Sequence, residues 1–288
     1  MLKYISLLFI VSAILFTSCG SVPVTGRKQM LLVSDQEVLT SSLKQYGEFI
    51  QSAPISTDKK NTELVNKVGR NIANAVEAYL KKNGLEKEVS QFSWEFNLVK
   101  SNEVNAFCMP GGKIVVYEGI LAYTKDETGL AVIIGHEVAH AVAKHANERM
   151  SQQTAANYGS TALSAVLGGS SEITKTVAST AFGLGTQYGL LLPYSRKHEL
   201  EADELGLIFM AMAGYDPRAA VGFWERMSEK SGSNTSEFSS THPSDAKRIK
   251  EIKEALPNAL KYYNGGVGTG TTNTKNTKDA KTSEKWKF

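Results

Sequence analysis

The stretch AVIIGHEVAHAVAKHANERM, residues 131–150, places three of the chain's five histidines and the glutamate Glu137 in a run rich in alanine and valine. Its spacing predicts one helix from Asp126 to about Met150. Ala131, Val132, Ile133 and Ile134 turn that helix towards the interior, and ionisable groups on an interior helix need partners. The rest of the chain must therefore wrap this helix and bring polar groups to it. A chain of 288 residues, 42 % of them hydrophobic, is long enough to do so in one main domain. A net charge of +3, with no dense basic stripe, excludes nucleic acid as an expected partner.

His136-Glu137-Val138-Ala139-His140 is an HExxH pattern. At 3.6 residues per turn, His136 and His140 project from nearly the same face, one turn apart. Two imidazoles so placed can hold one Zn²⁺, and Glu137 beside them can take a proton from an attacking water. A catalytic zinc takes three protein ligands as a rule. His145 is the nearest candidate, but HExxHxxGxxH would need glycine at 143 and histidine at 146, where the chain has Ala143 and Ala146. On a continuous helix His145 has also turned about 140° away from His140. It is expected to be a packing or surface residue.

A better third ligand lies in HELEADE, residues 198–204. Glu199 and Asp203 are four apart and share a face with Ala202 and Gly206, small residues that would let this helix approach the HExxH helix closely. Glu199 could then bind zinc while Asp203 orients a ligand histidine through its other ring nitrogen. Glu201 competes for the ligand position from a face carrying Leu205 and Ile208. Acidic residues that favour a helix N-terminus are the plainer reading of Glu201 and Glu204.

Around these motifs, Ser34 and Glu37 form a capping box that opens a helix, and Leu64 to Leu80 repeat at helical spacing. Phe92, Trp94, Phe96 and Leu98 alternate as a strand, and Pro110-Gly111-Gly112 turns between two short extended segments. Residues 151–192, rich in small residues, read as two helices packed over the site. Three further helices are expected within 197–213, 216–230 and 241–256. The fold class is α+β, mostly helical with a small sheet.

The ends read differently. Lys3, the apolar run from Tyr4 to Phe16 and the small residues before Cys19 predict a signal peptide over 1–18. The cysteine resembles that of a bacterial lipobox, which predicts lipidation at Cys19 and an extended tether over 19–34. The domain is expected over 35–262 and a disordered polar tail over 263–288. With Cys19 acylated, Cys108 has no disulfide partner and reads as a small hydrophobe. The expected location is that of an exported bacterial lipoprotein on the periplasmic face of the outer membrane.

SRKHELEAD at 195–203, with NAF at 105–107 and PGGKIVVYEGIL at 110–121 upstream and THPSDAKRI at 241–249 downstream, resembles the zinc metallopeptidase family of HtpX, the CAAX prenyl protease and BepA, metallopeptidase family forty-eight, a gluzincin. The resemblance runs from roughly Val22 to Leu256, without the transmembrane helices or tetratricopeptide repeats of those proteins. It implies one Zn²⁺ held by His136, His140 and Glu199, which selects Glu199 over Glu201, with Glu137 as the base. It implies that His242 and Arg248 face the metal and stabilise the oxyanion, or that His242 gates the open position. It also implies that Asn105, Ala106 and Phe107 lie on an edge strand that aligns an extended peptide. The expected activity is zinc-dependent cleavage of misfolded or unassembled envelope proteins. The alternative is a chaperone-like outer-membrane assembly factor whose protease site is gated and rarely used.

Overall fold

The computed structural model describes residues 19–187, 191–231, 242 and 246–265. The expected signal peptide and nearly all of the expected polar tail lie outside those residues. The tether expected over 19–34 is corrected, because this segment folds onto the domain. β1 (Cys19–Ser21) and β2 (Lys28–Met30) pair antiparallel, and the turn between them buries Val22 and Thr25. Proline and glycine gave the stretch the look of a linker. Here they serve a tight turn, with Gly26 at φ 69° and its N–H donating to the Val22 carbonyl at 2.9 Å.

α1 (Asp35–Ser52) starts where the capping box places it, with Ser34 Oγ accepting from the Glu37 N–H at 3.2 Å. α2 (Lys59–Lys82) buries the stripe Val65, Val68, Ile72, Val76 and Leu80, and α3 (Glu86–Val89) is a single turn. The sheet has β3 (Glu95–Val99), β4 (Ala106–Met109) and β5 (Lys113–Tyr117) in the order β3-β5-β4. β5 lies between its neighbours, parallel to β3 and antiparallel to β4, and is buried from Lys113 to Val116. β4 is left as the edge. Gly111 and Gly112, at φ 91° and 79°, make the turn that returns the chain from β4 to β5.

α4 (Glu118–Thr124) leads into α5 (Glu127–Val142), the HExxH helix, capped by Asp126 accepting from the Gly129 N–H. α5 is buried without interruption from Gly129 to Ala139. Each fully buried isoleucine on it contributes about 1.5–3 kcal/mol of apolar transfer, so the core closes around this helix. The single helix expected from Asp126 to about Met150 is corrected: it breaks at Ala143 and Lys144. Lys144 adopts the left-handed conformation, φ 55°, ψ 34°, and its ammonium is held by Asp35 at 2.7 Å and Glu88 at 2.8 Å.

After the break come α6 (His145–Val166), α7 (Glu172–Thr186), α8 (Leu192–Met212), α9 (Ala219–Ser231) and α10 (Ala246–Ala259). α6 and α7 are the two helices expected over 151–192, but they do not pack over the site. α7 has no buried residue, and the buried positions of α6 all lie in its first turns. α8 crosses α5 at Gly206 and Gly135, where a Cβ on either would stand 2.9 Å from the backbone of the other helix. The close approach predicted from small residues is thus present. Among the described residues, no helix is long and apolar enough to cross a membrane.

Candidate metal centre and active site

The crossing of α5 and α8 sets the site. One turn of α5 carries His136 and His140, and the facing turn of α8 carries Glu199 and Asp203. His136 Nε2 lies 3.0 Å from His140 Nε2, 3.4 Å from Glu199 Oε2 and 3.1 Å from His242 Nδ1. His140 Nε2 lies 3.5 Å from Glu199 Oε1, and His242 Nδ1 lies 2.6 Å from Glu199 Oε2. One ligand atom from each of these four residues falls within 4.8 Å of every other. Tetrahedral Zn²⁺ with bonds of about 2.0–2.1 Å spaces its ligand atoms about 3.3–3.4 Å apart. The cluster has that scale.

The donor chemistry fits the ion as well. His136 Nδ1 faces Asp203 Oδ1 at 3.0 Å, and a carboxylate only accepts, so the imidazole proton sits on Nδ1 and the Nε2 lone pair points at the cluster. A lone pair converging with two other imidazoles and a carboxylate is a site for a cation. Nitrogen and oxygen donors with tetrahedral spacing suit Zn²⁺. The electrostatics agree: burial opposes ionisation of Glu199, but His140, His136 and His242 hold its carboxyl well below the usual range. Burial lowers the His136 imidazole while Asp203 and Glu199 raise it, to about 9, so a cation bound at Nε2 takes the place of a proton there; burial holds His140 well below its ordinary value.

Beside the cluster is a cleft of about 320 Å³, whose lining includes Glu137, His140, Glu199 and His242 together with Asn105, Ala106, Phe107 and Cys108. The edge strand β4 therefore borders the cleft, as expected. Glu137 is 2 % exposed. Burial raises its carboxyl, and the Cys108 backbone amide hydrogen bonds to it. Its Oε1 has no hydrogen-bond partner among the described residues. A buried carboxylate with a raised pKa and an uncommitted oxygen is suited to accept and return a proton. The Cys108 thiol is pushed well up by burial and by Glu137, which leaves it unreactive, as its reading as a small hydrophobe requires.

Arg248 and His242 approach the cluster from different sides. Arg248 does not line the cleft. It forks onto Asp203 with Nε to Oδ2 and Nη2 to Oδ1, both at 2.6 Å, and its guanidinium lies 3.4 Å over the Trp224 ring. It thus backs the acid that faces His136, and its Nη1 lies 3.7 Å from Glu199 Oε2 in the cluster. His242 sits in the ligand cluster, with Nε2 3.8 Å from Glu137 Oε1.

The sequence reading missed His145. It is 1 % exposed and its Nδ1 lies 2.8 Å from His140 Nδ1. The 140° rotation that set it aside holds only on an unbroken helix, and the break at Lys144 returns it to the site. Glu201, weighed as a rival ligand, pairs with His145 instead, at 3.0 Å. The available signal was Glu201 itself, an acid between apolar neighbours that had to find a partner.

Residues 66–256 match the sequence model of Peptidase family M48. The chain belongs to peptidase family M48. This M48 chain is 41 % identical over 173 residues to the mitochondrial metalloendopeptidase OMA1 of Schizosaccharomyces pombe, covering 59 % of this chain and 49 % of that protein. It is 31 % identical over 268 residues to metalloendopeptidase OMA1, mitochondrial, of Homo sapiens, covering 90 % and 50 %. It is 26 % identical over 216 residues to the beta-barrel assembly-enhancing protease of Escherichia coli, covering 70 % and 40 %. The chain spans about half the length of the curated relatives it matches, or less. Metallopeptidases of this family use zinc, and His136, His140, Glu199 and His242 are the cluster that could hold the ion.

The comparisons correct the expected location. The relatives matched at 41 % and 31 % identity are mitochondrial metalloendopeptidases of eukaryotes, which overturns the exported bacterial lipoprotein. Neither a lipid anchor on Cys19 nor an envelope substrate gains support from them. A short apolar run followed by small residues is a compositional signal. It constrains far less than ligands placed at fixed spacing.

Proposed function

We propose that this M48 chain cleaves internal peptide bonds in extended segments of unfolded or unassembled polypeptides. The observation that carries the reading is the juxtaposition of the edge strand β4, the uncommitted Glu137 carboxylate and the ligand cluster around one cleft. An extended segment adds to such an edge through main-chain hydrogen bonds, with Asn105, Ala106 and Phe107 setting its register. When held by His136, His140 and Glu199, zinc supplies Lewis-acid polarisation of the attacking water and the scissile carbonyl. Glu137 takes the proton of the attacking water and returns it to the leaving amine. His242, whose Nε2 lies 3.8 Å from Glu137 Oε1, hydrogen bonds the oxyanion, while Asp203, braced by Arg248, fixes the His136 ring. Glu137→Gln is expected to retain wild-type zinc content and lose cleavage of an unfolded protein by about 10²–10⁴-fold. Full turnover by that variant would sink the reading.

A second reading has a specific observation behind it. His242 Nδ1 contacts Glu199 and His136 within the ligand cluster, the position a gate would take. The chain would then act chiefly as an assembly factor that binds polypeptides and cuts rarely, in keeping with the name of its Escherichia coli relative, the beta-barrel assembly-enhancing protease. His242→Ala separates the two. Its turnover falls if the imidazole stabilises the oxyanion and rises if it gates the site.

A further inference from the structure

Asp203 and Arg248 hold the ring of His136 from within the region that matches the family. The ring of His140 is braced by a chain of contacts that ends outside it. His140 Nδ1 meets His145 Nδ1 at 2.8 Å, and His145 Nε2 meets Glu201 Oε2 at 3.0 Å. Glu201 is in turn gripped by the N-terminal hairpin: Thr25 Oγ1 donates to Oε1 at 2.7 Å, and Arg27 Nε donates to Oε2 at 2.7 Å. The same guanidinium forks onto Glu148, with Nη1 at 3.1 Å and Nη2 at 2.7 Å. Glu148 also meets His198 Nε2 at 2.9 Å, and the His198 ring stacks on His145 with centroids 4.3 Å apart. His145, Glu148, His198 and Glu201 are all buried, at 1–2 % exposure. The same segment is tied further along α6, where Ser151 Oγ accepts from the Leu32 and Val33 amides at 2.9 and 3.2 Å.

Donor inventory fixes the protons along this chain. Glu201, with Arg27 and Thr25 donating to it, is an acceptor, so the proton of its contact with His145 sits on His145 Nε2. A neutral His145 then presents Nδ1 as a lone pair, so the proton between the two rings sits on His140 Nδ1. That leaves the His140 Nε2 lone pair pointing at His136, Glu199 and His242, the form an imidazole needs to bind a metal.

We propose that the N-terminal hairpin is part of the metal centre: Arg27 and Thr25 are positioning residues that, through Glu201 and His145, hold His140 in its metal-binding tautomer and orientation. Each of the two helix histidines is thereby braced through an acid held by an arginine, His136 directly by Asp203 and His140 through His145 by Glu201. Both hairpin residues precede the family-matched span of 66–256. The inference rests on the zinc-peptidase reading.

The test is zinc affinity, measured by competition with a chromophoric chelator, together with the visible spectrum of Co²⁺-loaded protein. Arg27→Ala is expected to lose about 10–100-fold in zinc affinity and to shift the Co²⁺ bands. Arg27→Lys, which returns the charge without the fork, is expected to recover part of both. Thr25→Val, which leaves the Arg27 guanidinium contacts in place, is expected to lose less affinity than Arg27→Ala. A hairpin that merely stabilises the fold would lower the melting temperature of the metal-free variants and leave the affinity and Co²⁺ spectrum of the folded protein at wild-type values, and that result overturns the proposal. Should Arg27→Ala fail to fold, Thr25→Val decides: wild-type affinity in that variant overturns the proposal, and reduced affinity with shifted Co²⁺ bands supports it. A wild-type protein that binds neither metal would instead overturn the zinc-peptidase reading beneath it.

Discussion

Two helix pairs in this chain use similar residues and reach opposite environments. α5 and α8 approach through Gly135 and Gly206, and α6 approaches α7 through Gly159, where an added Cβ would stand 2.9 Å from the Phe182 ring. α5 is buried from Gly129 to Ala139. On the other pair, Val166, Ile173 and Val177 are 82 %, 78 % and 64 % exposed. At α5/α8 the contact is backbone against backbone, so neither side can yield. Their closeness is also what brings His136 and His140 within reach of Glu199 and Asp203. At α6/α7 the obstacle is the edge of a ring that can turn. Small residues permit approach; buried charges that need partners demand it.

The comparison can be pressed by mutation. Ile133→Ala, in the fully buried stretch of α5, is expected to cost about 2–5 kcal/mol in urea unfolding. Ile173→Ala on α7 should stay within about 0.5 kcal/mol. Equal costs would erase the distinction between the pairs. Gly206→Ala forces a methyl against the His136 backbone and is expected to cost about 1–3 kcal/mol with a measurable drop in zinc content, because the ligand helices separate. Gly159→Ala runs the other way. Phe182 can move aside and the helix loses a glycine, so stability should rise by up to about 1 kcal/mol. A loss there would mean that α6 and α7 are locked as tightly as the ligand helices.

Much of the site was legible in the chain because its signals are local. Ser34 and Glu37 sit within one helical turn, and the capping hydrogen bond forms as read. His136 and His140 share a face by helical rotation alone, as do Glu199 and Asp203 with Ala202 and Gly206. The alternation of Phe96 and Leu98 marked the buried face of β3. The failures also have physical causes. The span 19–34 resembled a tether because a tight turn and a linker draw on the same residues. The helix expected to run on to Met150 breaks at Lys144, because acids from distant segments hold the break.

His145 shows where the division lies. Periodicity placed His136 with His140, and Glu199 with Asp203, each pair on one helix face, since both follow from spacing within one regular element. The family came instead from a resemblance between motifs, whose order along the chain is itself the signal. Periodicity could not reveal that Lys144 turns left-handed, because that break is held by Asp35 and Glu88 from distant segments. Nor could it bring Arg27 to Glu201 across 174 positions. Those pairings are decided by burial. Once α5 and α8 close on each other, each acid left inside must find a donor, and only the folded chain determines which one arrives.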